Sequence, residues 1–119
     1  MSAAGAQTRP VDLAHLATYT GGDAALNAEV LQLFLDQSAQ LLRELTSVLE
    51  TQDQTRWHEI THSLKGAARG IGAFPLADAA AEAEPVALAA NSADAVKALE
   101  DLKTRMRAVH LFIEAYLGQ

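Results

Sequence analysis

Residues 54–72 read Gln54-Thr-Arg-Trp57-His58-Glu59-Ile60-Thr-His62-Ser-Leu64-Lys65-Gly66-Ala-Ala68-Arg69-Gly70-Ile71-Gly72. Trp57, Ile60, Leu64, Ala67/Ala68 and Ile71 recur at steps of three and four, the period of a helix with one apolar face. Asp53 or Thr51 stands where an N-cap is needed, and Gly70 and Gly72 stop the pattern. A helix over about 54–71 is predicted. On a wheel of about 100° per residue, Thr55, His58, Glu59, Lys65, Gly66 and Arg69 fall within roughly 60° of His62. Ile60 and Leu64 lie on the far side. His62 is therefore expected to face solvent, out of phase with the core residues of its own helix.

Working outward, the flanking segments are helical too. Pro10 and Asp12 precede a short helix containing Leu13, Leu16 and Ala17, which Thr20-Gly21-Gly22 breaks. Asp23 can cap a long helix from about Ala24 to Gln52. Its expected core stripe is Leu26, Val30, Leu33/Phe34, Leu41, Leu45 and Val48, widened by Leu31, Leu35, Leu42 and Leu49. After residue 72, Pro75 suits the first turn of an alanine-rich helix running to about Ala83. Pro85 disfavours helical geometry at Glu84, so a break is expected there. Asn91 with Asp94 resembles the start of a last helix. Its expected inner face is Val96, Leu99, Leu102, Met106, Val109, Ile113 and Tyr116/Leu117. No segment alternates like a strand. The expected fold is all-α: an antiparallel four-helix bundle with a short extra N-terminal helix, over residues 10–119, behind a flexible tail of residues 1–9.

Composition narrows the function. The 119 residues suit one domain, half of them are hydrophobic, and the net charge is −6. An acidic surface repels a phosphate backbone, so no nucleic-acid partner is expected. There is no cysteine, which excludes thiolate nucleophiles and disulfides. No apolar run approaches a membrane span of about 20 residues, and no signal peptide is visible between Met1 and Pro10. The expectation is a complete small cytoplasmic protein with no membrane partner.

Chemistry concentrates around His62. Lys65 and Arg69 sit one and two turns beyond it in an otherwise acidic chain, and two cations beside an imidazole suit a phosphoryl group. Gly66 costs about 1 kcal/mol relative to alanine inside a helix. On the outward face it points to a partner that approaches closely, the alternative being a tight helix–helix contact.

The run His62-Ser63-Leu64-Lys65-Gly66-Ala67-Ala68-Arg69-Gly70-Ile71-Gly72-Ala73, followed by Leu76-Ala77, Ala80 and Glu84, resembles the histidine-containing phosphotransfer domain. Its pattern is His-x-Leu-Lys-Gly, two small residues, two variable ones, an aliphatic and then glycine. The resemblance implies a helical bundle with an exposed phosphoacceptor, His62. It makes Lys65 the residue that contacts the phosphoryl oxygens and Gly66 the clearing for the partner. It places Glu84 where a related glutamate in chemotaxis kinases bonds the second imidazole nitrogen. Two positions depart from the pattern. Ala83 stands where a larger aliphatic is common. Ala81 stands where the chemotaxis kinases often carry a second histidine. The implied partners are response-regulator receiver domains and a sensor or hybrid histidine kinase, with Thr55, His58, Glu59, Gly66 and Arg69 around the docking point. The implied Mg²⁺ belongs to the receiver, and no cofactor is expected on this chain. With no nucleotide-binding loop, the protein is not expected to phosphorylate itself from ATP.

His58-Glu59-Ile60-Thr61-His62 also satisfies H-E-x-x-H. His58 and His62 could chelate zinc, with Glu59 as general base and Glu82 or Glu84 as third ligand. That reading needs a substrate cleft, usually beside a strand, and leaves the residues after His62 unexplained, so no metal site is assigned. A non-catalytic helical adaptor is the other alternative. His15 and His110 read as surface or boundary residues. Arg56, Lys97, Lys103, Arg105 and Arg107 read as a solvated face.

Overall fold

A computed structural model of the chain describes residues 9–89 and 92–118. They form five helices: α1 (Leu13–Thr20), α2 (Ala24–Thr51), α3 (Gln54–Gly70), α4 (Phe74–Ala83) and α5 (Ala93–Leu117). No strand occurs among the described residues. All but Arg9 of the expected tail lies outside them.

Four helices begin on a side-chain cap. Asp12 accepts from the His15 N–H, Asp23 from Leu26, Asp53 from Arg56 and Ser92 from Ala95, each satisfying a donor the first turn leaves open. The start of α5 is thus Ser92, not the expected Asn91, which lies outside the described residues. α4 has no side-chain cap and relies on Pro75 in its first turn. Helix ends follow the same logic. Gly21 closes α1 in the left-handed conformation, and Gln52 does so for α2 at φ 57°.

The four longer helices pack in a ring: α2 against α3, α3 against α4, α4 against α5, and α5 back against α2, with α1 resting on α2. Leu31, Leu45, Trp57, Leu64, Leu76, Leu102 and Ile113 fill the centre. Alanines 77, 79, 80 and 83 are all buried on α4, so that short helix inserts with its backbone close to its neighbours. The N-terminal segment joins in where no sequence signal pointed. Val11 is buried, and the Asp12 N–H donates to the Gly72 carbonyl at 2.9 Å in the α3–α4 turn. Gly72 sits there at φ 81°, and a Cβ on it would lie 2.6 Å from the Asp12 oxygen.

Two helix faces differ from expectation. On α2 the buried line runs through Asn27, Leu31, Phe34, Ser38, Leu45 and Val48, while Leu26 and Leu33 are exposed. The two buried polar residues hid that phase. The Asn27 amide meets Thr20 Oγ1 and Tyr116 Oη. The Ser38 hydroxyl donates to the Phe34 carbonyl and meets His110 Nε2 at 3.1 Å. On α5 the inner face starts at Ala95, leaving Val96 exposed. His110 is a boundary residue, as expected, and burial lowers its pKa. No helix among the described residues is long and apolar enough to cross a membrane.

Candidate functional site

The site is built on the outer face of α3 and the connection that follows α4. Trp57 and Leu64 are fully buried and Ile60 nearly so, which turns the opposite face of α3 to solvent. Thr55, His58, Glu59, His62, Ser63, Gly66 and Arg69 are all exposed there. The His62 side chain is 65% exposed. Helical phase alone therefore placed the imidazole correctly. Thr61 is the residue on this helix that the phase argument passed over: it is fully buried, its hydroxyl returned to the Trp57 carbonyl.

Glu84 arrives from the other side. α4 ends at Ala83, as Pro85 requires, but Glu84 itself keeps right-handed helical dihedrals (φ −55°, ψ −45°), against the expectation for a residue preceding proline. Its N–H still donates to Ala80 at 3.0 Å, so the glutamate projects as one more helical position. Two anchors hold it there. The Trp57 indole N–H donates to the Ala83 carbonyl at 2.8 Å. The Gln54 side chain accepts from the Leu88 N–H (2.7 Å) and donates to the Val86 carbonyl (3.0 Å). Gln54 was not singled out from the sequence. An isolated glutamine at a helix start carries no signal until the fold brings residues 86–88 beside it.

One carboxylate then gathers three basic groups. Glu84 Oε1 accepts from Lys65 Nζ at 2.7 Å, and Oε2 lies 3.2 Å from His62 Nδ1 and 3.3 Å from His58 Nε2. The Glu84 side chain is 13% exposed. The Lys65 ammonium holds this carboxyl below the ordinary glutamate range. Burial pushes the other way, and the His62 hydrogen bond adds to the lowering. An ionised Oε2 only accepts, so the His62 nitrogen facing it carries a proton, and Nε2 is the ring nitrogen left on the open side. Lys65 is 19% exposed and spends one of its three donors on Glu84. Arg69 is exposed and makes no ion pair among the described residues.

Gly66 leaves open space. A Cβ built on it meets nothing within 4 Å, so no close contact between helices explains this glycine. Gly66→Ala is expected to stabilise the protein by about 0.5–1 kcal/mol, from helix propensity alone. The urea midpoint should rise, and a lower midpoint would contradict the open surface.

Glu59, the general base in the zinc reading, pairs with Arg56 at 3.3 Å. Arg56 in turn reaches Glu44 on α2, so it bridges two helices rather than lying on a purely solvated face. Among the described residues no group of three His, Asp or Glu side chains is placed to hold a metal ion.

No curated protein and no solved structure matches the chain. The model of one protein family, the Hpt domain, matches residues 29–111. That span runs from the first turns of α2 to the last turns of α5 and takes in His62, Lys65, Gly66 and Glu84. As it covers well over half of the sequence, the chain belongs to the Hpt domain family, whose members take part in histidine phosphotransfer in phosphorelays.

Proposed function

We propose that the protein is a phosphorelay intermediate that carries a phosphoryl group on His62 Nε2. The observation that carries this reading is the pairing of His62 Nδ1 with Glu84, which leaves Nε2 as the ring nitrogen turned away from the carboxylate on an exposed side chain. The phosphoryl group comes from an aspartyl phosphate on a receiver domain, of a response regulator or of a hybrid kinase. Nε2 attacks phosphorus in line, the phosphorus–oxygen bond breaks, and the electron pair leaves on the partner's aspartate. The ring gains positive charge, which the Glu84 carboxylate offsets at Nδ1. A second receiver's aspartate reverses the step and takes the group on. Lys65 and Arg69 supply cationic donors to the phosphoryl oxygens. The Mg²⁺ belongs to the receiver. Thr55, His58, Glu59, Gly66 and Arg69 form the docking surface, and the missing side chain at Gly66 lets the receiver close on His62. The ring of α2 to α5 is read as the antiparallel four-helix bundle that presents this face.

The test is incubation with phosphorylated receiver domains. The wild type should acquire phosphate that is labile in acid and stable in alkali, and His62→Gln should acquire none. Equal labelling of both proteins would remove His62 as the acceptor, and no transfer from a panel of receivers would leave the adaptor reading in its place.

A further inference from the structure

His58 is the one member of the Glu84 cluster that has a place on the docking surface but no chemical role in the transfer described above. It lies one helical turn before His62 on the same face of α3. The two rings are nearly parallel, 11° apart in plane, with centroids 6.3 Å apart. Both aim a nitrogen at the same oxygen, His62 at 3.2 Å and His58 at 3.3 Å. The second oxygen is occupied by Lys65. His58 also borders a shallow depression formed by Gln54, Thr55, Glu59, Glu84, Pro85 and Ala87. The groups that can set its charge are few. Glu84 faces it from the connection after α4, and His62 and Glu59 share its helix. Glu59 is held by Arg56 on the side of α2.

We propose that His58 is a positioning residue that makes the loading of His62 depend on pH, by competing for the Glu84 carboxylate when it is protonated. The proposal rests on the phosphotransfer reading above. A neutral His58 sits beside Oε2, its Nε2 3.3 Å away, without adding charge there. A protonated His58 places a full positive charge on that oxygen. The carboxylate is then partly neutralised at the moment it is needed. When the Nε2 lone pair forms the bond to phosphorus and the donor's leaving group departs with its electron pair, the His62 ring becomes a phosphorylated imidazolium with its proton on Nδ1. A second cation about 6 Å away opposes that charge. Loading is therefore slowed, and an already loaded ring becomes a better phosphoryl donor. In the reverse step the phosphorus–nitrogen bond breaks, its electron pair returns to the ring, and the repulsion is relieved. A fall in pH thus favours discharge over loading.

Phosphoramidate, a small phosphoryl donor that needs no receiver, isolates the effect. Loading of His62 is followed by ³¹P NMR in wild type, His58→Gln and His58→Lys, at about pH 5.5 and about pH 8.5, either side of the ordinary imidazole titration. The exposed position on a helix surface makes both substitutions compatible with the fold. Glutamine is a permanently neutral donor and lysine a permanent cation. Wild type should behave like His58→Gln at the higher pH and approach His58→Lys at the lower. The gap between the two variants should be roughly three- to tenfold, the range for one charge at this distance in a half-solvated setting. Each comparison is made at a single pH, so acid lability of the product cancels. Equal loading of the two variants at both pH values overturns the proposal. Should phosphoramidate leave His62 unlabelled in every form, ring ¹⁵N shifts decide. The Nδ1–H tautomer of His62 must be more populated in His58→Gln than in His58→Lys, and equality overturns the proposal. Receiver assays separate the two readings. Variants that differ with phosphoramidate but exchange no phosphate with any receiver sink the relay, not the role of His58. Receivers that load all forms equally sink the role of His58 alone.

Discussion

Trp57→Ala is expected to lower stability by about 3–5 kcal/mol, the range for emptying a large aromatic site in a core. Trp57 is fully buried, in the same core as Ile60, Leu64 and the alanines of α4. Small alanines cannot move in to fill the space, because they already lie against α3 along their backbone. The substitution also removes the indole N–H that the Ala83 carbonyl accepts, leaving that carbonyl with the Val86 N–H alone. Domains of this size have about 5–15 kcal/mol in total, so the melting temperature should fall by roughly 10–20 °C. Trp57 is the single tryptophan, so wild-type unfolding can be followed by fluorescence and the variant by circular dichroism. A loss below about 1 kcal/mol would contradict the packing described. Trp57→Phe should recover most of the burial while still lacking the donor to Ala83. It should therefore fall between the two in stability and loosen the position of Glu84 without unfolding the chain.

Glu84→Gln is expected to slow loading of His62 by about 100-fold, the lower end for removing a positioned acid–base group, with little change in the helical content. Glutamine has the same shape and can still accept from Nδ1, but it carries no charge to offset the imidazolium that forms when Nε2 bonds phosphorus. Its amide would also present donors to Lys65 and His62, where donors already point. Initial rates with one phosphorylated receiver measure the effect, and an unchanged rate would remove Glu84 from the mechanism. The same variant has a signature in stability against pH. Lys65 and His62 hold the Glu84 pKa below its unfolded value, against the opposing effect of burial. A carboxylate with a lowered folded pKa contributes stability that is present above the unfolded value, roughly pH 4.3, and that is lost as pH falls through the folded one. Urea midpoints of wild type and Glu84→Gln should therefore converge as the pH is taken below about 4. A constant difference across that range would show that the carboxylate is not stabilised in its charged form.

The two substitutions touch the same piece of structure from opposite ends. Trp57 faces inward from α3 and holds the end of α4. Glu84 is the next residue along and faces outward to His62, which sits on the outer side of that same α3. The core and the site are thus coupled through one carbonyl and the adjoining turn. Gln54 ties down the other side of that turn.

What the sequence by itself determined is what depends on local period and local pattern. The helical phase of residues 54–71 separates Trp57, Ile60 and Leu64 from His62, and that separation puts the imidazole in solvent. Asp12, Asp23 and Asp53 mark three helix starts because a carboxylate beside open N–H groups acts within three residues. The His-x-Leu-Lys-Gly run was legible for the same reason, since every member lies within two turns of one helix. Phase failed where polar residues are buried: Asn27 and Ser38 lie on the inner line of α2, where Tyr116 and His110, distant in sequence, join Thr20 and the Phe34 carbonyl as their partners. Only the tertiary structure decided how Glu84 meets His62, across 22 positions of chain. Pro85 acts locally against a helical Glu84, whereas the Ala80 carbonyl, the Trp57 indole and the Gln54 amide together hold it helical. The same assembly turned Lys65 toward Glu84 and brought His58 to the oxygen that His62 uses. A carboxylate shared by three side chains is a property of where α3 and the end of α4 meet, and no window of the sequence contains both.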